Sequence, residues 1–139
     1  MINYKEVDWL KYKTLVFDFD GIFTENKVWV NQSGEETVRC DRGDGLAFDL
    51  LRTYKKLFNW NLELFILSKE SNPVVLERAK KLKIKCFHGV DDKCVFLKNY
   101  LRKKYPKSNN PEKEMIYVGN DLNDLEAAIF SGLVIVPSD

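Results

Sequence analysis

The sequence predicts an α/β fold, a Rossmann-like three-layer parallel sheet with one β-hairpin insertion. Two observations predict it. Apolar runs of strand length recur along the chain, at 14–19, 62–67, 85–87, 115–118 and 133–136. Segments with apolar residues at helical spacing separate them, which is the pattern of βαβ units.

The first strand is the run 14–19. Residues 27–30 and 36–39 then flank Asn31-Gln32-Ser33-Gly34 and read as a β-hairpin around a polar turn. A helix over 45–58 follows, with Leu46, Leu50, Leu51, Tyr54 and Leu57 on one stripe. After the strand ending at Leu67, Asn72 can cap a helix whose first position is Pro73, running to about Lys81. The short strand 85–87 precedes a helix over 93–104, and 106–111 is a polar linker. The strand 115–118, a helix over 121–130 and the strand 133–136 complete the pattern. No internal repeat or low-complexity stretch interrupts it, so the expectation is one domain over 1–139.

The chain has 139 residues, 45% of them hydrophobic and 13% aromatic, enough to build a core of ordinary size. A net charge of +1 gives no global attraction to nucleic acid or an anionic membrane. The local clusters Lys80, Lys81, Lys83, Lys85 and Arg102, Lys103, Lys104 alternate with apolar residues and read as solvated helix faces. Cys40, Cys86 and Cys94 are too scattered for a zinc site and odd in number, so reduced thiols are expected. The segment 1–10 has no apolar core of a signal peptide, and no run approaches the roughly 20 apolar residues needed to span a bilayer. A cytoplasmic protein is therefore expected. His88 has no partner motif, and Trp9, Trp29 and Trp60 read as packing or interface groups.

The chemistry lies at the strand ends. Asp18-Phe19-Asp20-Gly21 closes the first apolar run with two carboxylates at i and i+2, which point the same way in extended chain. Two like charges that close need a cation between them, or one must keep its proton. Leu62 to Leu67 ends in Ser68. Lys93 opens a helix after Gly89-Val90-Asp91-Asp92. The run 115–118 ends in Gly119-Asn120-Asp121-Leu122-Asn123-Asp124. Ligands of open α/β sheets bind outside the carboxyl ends of the strands. There these groups can hold a divalent cation and a phosphate.

With these four motifs in this order, the sequence resembles the haloacid dehalogenase superfamily of phosphatases. It is most similar to the small branch without a cap domain: 3-deoxy-octulosonate 8-phosphate phosphatases, nonulosonate 9-phosphate phosphatases and the C-terminal domain of some acylneuraminate cytidylyltransferases. The resemblance covers 18–136 and is especially close over 67–75 and 89–93. It implies Asp18 as nucleophile and Asp20 as general acid–base. Ser68, Lys93 and backbone N–H groups near Gly21 would hold the phosphoryl oxygens. Mg2+ would be bound by Asp18, the Asp20 carbonyl and the cluster Asn120, Asp121 and Asp124. Asn120 stands where many relatives carry a metal-binding Asp, which leaves Asp121 as the charged alternative and Asp124 as more remote.

Arg42 and Asp44 lie in a loop resembling the family's substrate-proximal loop. The octulosonate enzymes tend to carry Arg at the position of Glu70, and the nonulosonate enzymes Glu, with an Arg at the position of Arg78. The resemblance therefore implies a Glu70–Arg78 ion pair at the rim and a nonulosonate 9-phosphate as substrate. It also implies a homo-oligomer, a tetramer built on the hairpin 27–39. Relatives continue past the position of Pro137 with a tail that can reach a neighbour's site, whereas this chain ends at Asp139. The alternative is a weakly active oligomerisation module associated with a cytidylyltransferase.

Overall fold

In the computed structural model, which describes residues 3–138, strand β1 (Thr14–Phe17) is the centre of a five-stranded sheet. Buried on both faces, its Thr14, Leu15 and Val16 form the continuous apolar run typical of a parallel strand. It pairs in parallel with β4 (Glu63–Leu67) on one side and β6 (Met115–Val118) on the other, in registers Phe17↔Ile66 and Phe17↔Val118. β5 (Lys85–Phe87) and β7 (Leu133–Ile135) are the edges, giving the order β5-β4-β1-β6-β7. The chain thus winds outward through β4 and β5, then crosses to the other side of β1. The crevice where the direction reverses lies between β1 and β6.

Side-chain alternation sends β4 into two cores. Phe65 and Leu67 join Val16, Met115 and Tyr117 under α3 (Lys93–Lys104) and α4 (Leu125–Phe130). Ile66 joins Phe19, Phe23, Phe48, Val75 and Leu82 under α1 (Gly43–Leu57) and α2 (Val74–Leu82). A smaller cluster of Tyr12, Leu15, Leu62 and Ile116 closes the other end of the sheet. Between β1 and α1 stand only β2 (Trp29–Val30) and β3 (Glu36–Thr37), an antiparallel ribbon, with no cap domain among the described residues. No helix there is long and apolar enough to cross a membrane. All three cysteines are free.

Asn72 Oδ1 accepts from the Val74 N–H at 3.1 Å and Pro73 has helical angles, so the expected cap of α2 is present. Two expectations need correction. The helix over 121–130 is a 3₁₀ turn, Leu122–Asp124, followed by α4. The apolar stripe of α1 faces outward: Leu46 is 64% and Leu57 75% exposed, with Leu50 and Tyr54 also exposed. Phe48 is the buried residue of this helix instead. The inner face is completed by half-buried Leu51, Arg52 and Lys55, whose long stems cover apolar surface while Arg52 Nη1 donates to the Leu82 carbonyl.

Candidate active site

The end of β1 sets the geometry. The Asp18 N–H donates to the Val118 carbonyl at 2.8 Å, extending the ladder by one residue before the chain turns. Gly21 allows that turn. Its φ of +80° is left-handed, and a Cβ there would overlap the Asn120 carboxamide, which packs against it. The Gly21 N–H donates to Thr24 Oγ1 at 3.1 Å. Gly21 therefore shapes the loop, with its own N–H turned to Thr24.

Lys93, at the first position of α3, reaches back under this turn. Its Nζ donates to Asp18 Oδ1 at 2.6 Å and to Asp124 Oδ1 at 2.7 Å. All three residues are buried, at 4% exposure for Lys93 and Asp18 and 2% for Asp124. The placement follows from local structure: Asp92 Oδ1 accepts from the Val95 N–H and starts the helix where Lys93 can point inward. Burial pushes the Asp18 carboxyl up to about 6, against the pull of the Lys93 ammonium. Asp124 is also penalised by burial, but hydrogen bonds from Lys93 and the Tyr117 hydroxyl hold it below the usual carboxylate value.

Asp124 is fully engaged. Oδ1 also accepts from the Tyr117 hydroxyl at 2.6 Å, and Oδ2 accepts from the Asn120 and Asp121 N–H groups at 3.2 and 3.4 Å. Gly119 makes room for it, since a side chain there would strike Asp124 Oδ2. Asp124 therefore fixes Lys93 and the loop after β6, in keeping with its more remote place from a metal.

Above this floor opens a cavity of about 380 Å³, lined by Asp18, Asp20, Asn26, Ser68, Lys69, Glu70, Ser71, Asp121 and Asn123. Asp20 is half-buried; desolvation and then the nearby Glu70 charge raise its pKa, so it keeps a proton more readily than an ordinary Asp. Ser68 Oγ accepts from the Glu70 N–H at 3.1 Å, which leaves its own hydroxyl proton available. Glu70 Oε1 in turn accepts from the Asn72 N–H at 2.8 Å.

Among the described residues no cluster of three or more His, Cys, Asp or Glu forms a ready-made metal centre. Mg2+ does not require one, because it binds through one or two carboxylates, several waters and substrate phosphate. The donors fit that requirement. Asp18 keeps one oxygen clear of Lys93, and Asp121 lines the cavity, although one of its oxygens accepts from the Leu122 N–H. Asn120 is outside the cavity lining, against Gly21.

Arg78 is placed differently from the expectation. Its Nη2 donates to Asp44 Oδ2 at 3.1 Å and to the Asp41 carbonyl, and no Glu70–Arg78 ion pair forms. The α1–α2 packing supplies Arg78 with a carboxylate closer than Glu70. Arg42 lines a separate depression of about 580 Å³ with Glu25, Arg39 and Asp44. Sequence reasoning assigned no role to Tyr117 or Lys69. Tyr117 reads as a core strand residue, and only its position two residues before Gly119 hints at reach to Asp124. Lys69 reads as a loop lysine.

No protein-family profile matches the chain. Solved structures do. A protein of Streptomyces avermitilis assigned to the HAD family of hydrolases is 37% identical, over 91% of this chain and 67% of its own, with a TM-score of 0.76. The 3-deoxy-D-manno-octulosonate 8-phosphate phosphatase of Moraxella catarrhalis, solved with a magnesium ion, a phosphate ion and the sugar acid, is 30% identical over 92% of this chain and 68% of its own, with a TM-score of 0.75. The cobalt-bound octulosonate 8-phosphate phosphatase of Haemophilus influenzae, 23% identical over 94% and 71%, shares the fold at a TM-score of 0.75. The chain belongs to the haloacid dehalogenase (HAD) family of hydrolases and is an enzyme of that family's phosphatase type.

Proposed function

We propose that the chain is a magnesium-dependent phosphomonoesterase that hydrolyses the phosphate ester of a 3-deoxy-2-ulosonic sugar acid through an aspartyl-phosphate on Asp18. The observation that carries this reading is Lys93 bridging Asp18 and Asp124 beneath a cavity walled by Asp20, Ser68 and Asp121. Lys93 holds one Asp18 oxygen and leaves the other to attack phosphorus. As that bond forms, the bond from phosphorus to the sugar oxygen breaks, and Asp20 gives its proton to the departing alkoxide. Asp20, now ionised, takes a proton from water; the water oxygen attacks phosphorus, the bond to Asp18 breaks, and inorganic phosphate leaves. Ser68 and the Lys93 ammonium hold phosphoryl oxygens through charge-assisted hydrogen bonds. Magnesium, held by Asp18 and Asp121, would neutralise phosphoryl charge that otherwise repels the Asp18 carboxylate.

The sugar-acid class is supported by the Moraxella relative, named for such a substrate. A cavity of about 380 Å³ lies in the ordinary range for small-molecule sites. Glu70 in its wall supports a nonulosonate 9-phosphate over an octulosonate 8-phosphate, because a carboxylate accepts hydrogen bonds from the hydroxyls of a longer polyol. Arg78 adds nothing to that preference, since it turns to Asp44.

The ribbon supports self-association, as a homo-oligomer through 27–39. Val28, Trp29 and Val30 are all exposed, Trp29 at 61%. A two-stranded ribbon is marginal in water without further packing.

Phosphate release from a panel of sugar phosphates, with magnesium and with a chelator, tests the reading. The expected result is metal-dependent release with kcat/KM highest for the nonulosonate ester. A preference of about tenfold for the octulosonate ester would overturn the choice of sugar. Release confined to sugars without a carboxylate would overturn the substrate class.

A further inference from the structure

Ser68 directly follows β4 and is buried in the cavity lining, and the next residue, Lys69, stands in the wall. Lys69 and Asn123 also line an adjoining cavity of about 310 Å³ with Asp91, Asp92, Lys93, Cys94, Leu122, Glu126 and Ala127. These two side chains therefore form the ridge between the catalytic cavity and its neighbour. Lys69 is exposed, and among the described residues it makes no hydrogen bond or ion pair.

The other nearby cations lie outside the cavity lining, held in ion pairs. Lys93 is held by Asp18 and Asp124, Arg78 by Asp44 and the Asp41 carbonyl, and Arg39 by Glu25. Arg42 faces a different depression. The lining of the catalytic cavity contains four carboxylates, Asp18, Asp20, Glu70 and Asp121, against one cation, Lys69. A substrate with a negative group besides its phosphate would meet repulsion from Glu70 at this mouth. Lys69 alone in the lining can offset it. Its flexible four-carbon stem lets the ammonium follow a group on either side of the ridge.

We propose that Lys69 is a specificity-determining residue that binds the carboxylate of a sugar-acid phosphate. This rests on the phosphatase reading above and adds the contact that selects acidic over neutral sugars. Glu70, Ser71 and Asn26 then face the hydroxyls. The ester phosphate stays with Ser68 and Lys93.

The test compares wild type, Lys69→Ala and Lys69→Arg on a sugar-acid phosphate and on its carboxamide analogue, which is neutral at that position. Inorganic phosphate serves as competitive inhibitor, and the free sugar acid is titrated calorimetrically. The expected result for Lys69→Ala is a fall of about tenfold in the acid-to-amide ratio of kcat/KM, carried by KM, as for loss of one charge-assisted hydrogen bond. Lys69→Arg should recover most of the ratio, and binding of the free sugar acid should weaken in parallel. Equal losses on both substrates with weaker inhibition by phosphate would place Lys69 on the phosphoryl group and overturn the proposal. An unchanged ratio would overturn it too. If wild type cleaves neither ester yet binds the sugar acid through Lys69, the substrate reading fails and the Lys69 contact stands.

Discussion

Tyr117 and Lys93 meet on one oxygen atom: the phenol donates to Asp124 Oδ1 at 2.6 Å and the ammonium to the same atom at 2.7 Å. Lys93 then passes to Asp18 at 2.6 Å, so a strand in the sheet and a helix on its face hold the proposed nucleophile through one carboxylate. Asp124 gains two further donors from the backbone of the loop that it caps. A buried ion pair satisfied this fully adds little net stability over an apolar core. Its value here is positional: it leaves a buried carboxylate with one oxygen clear.

Removing the bridge should therefore be costly for folding as well as turnover. Lys93→Ala leaves two carboxylates buried and facing each other, and breaking such a pair costs about 3–5 kcal/mol. The charged forms of Asp18 and Asp124 would then lose their main stabiliser, so the pKa of Asp18, already raised by burial, goes up further and that of Asp124 is no longer held below the usual carboxylate value. The penalty is present at neutral pH and shrinks as pH falls and both groups protonate. Urea midpoints of wild type and variant should converge in acid. A gap independent of pH would mean that packing, not charge, dominates the loss.

Tyr117→Phe is the milder variant. It removes one hydrogen bond to a carboxylate that retains Lys93 and two backbone donors. A cost of about 1–3 kcal/mol is expected, with kcat reduced more than KM because Lys93 is less firmly placed. Steady-state kinetics beside urea unfolding checks this; full activity with full stability would show that the phenol only fills space.

Asp18→Asn should abolish turnover with the fold retained. An amide nitrogen is not a phosphoryl acceptor, and an amide still offers an oxygen to Lys93. Circular dichroism should match wild type while phosphate release disappears. Near-normal release would remove Asp18 from the nucleophile role.

The parts legible in the sequence were those fixed by local pattern. Parallel strands buried on both faces leave continuous apolar runs, so Val16, Phe65 and Tyr117 announced the sheet. The topology then carried Asp18, Ser68 and Lys93 to one crevice. What was not legible depended on which neighbour wins a side chain. The leucines of α1 have a helical period, but period alone does not say which stripe faces the sheet, and Phe48 took that place. Arg78 could reach toward Glu70 or Asp44, and the packing of α1 on α2 chose Asp44. That Asp124 would share its oxygens among Tyr117, Lys93 and two N–H groups was not legible either, because the donors come from a strand, a helix and a loop.

The ribbon and the outer face of α1 give a prediction about assembly. Trp29→Glu places a charge on the exposed strand pair, and Leu50→Glu does the same on the apolar face of α1. If the protein self-associates through the ribbon, Trp29→Glu lowers the mass seen by light scattering and Leu50→Glu does not. The reverse pattern would move the interface to α1, and a monomeric wild type at tens of micromolar would dismiss both.

Far from the site, Glu63 at the start of β4 carries a pH-dependent part of the stability. Burial pushes its pKa up, but the Tyr100 hydroxyl, which donates to Oε1 at 2.7 Å, and then Lys104 and Lys85 outweigh that and hold it below the usual Glu value. A carboxyl with a folded-state pKa below its unfolded one contributes stability above the unfolded value and loses it as pH falls through the folded value. Glu63→Gln keeps the shape and an acceptor for Tyr100 but removes the charge facing both lysines. It should unfold at lower urea than wild type at pH 7, and the difference should close in acid once Glu63 of the wild type is protonated. A constant difference down to the most acidic condition would assign the loss to how the amide packs rather than to the missing charge.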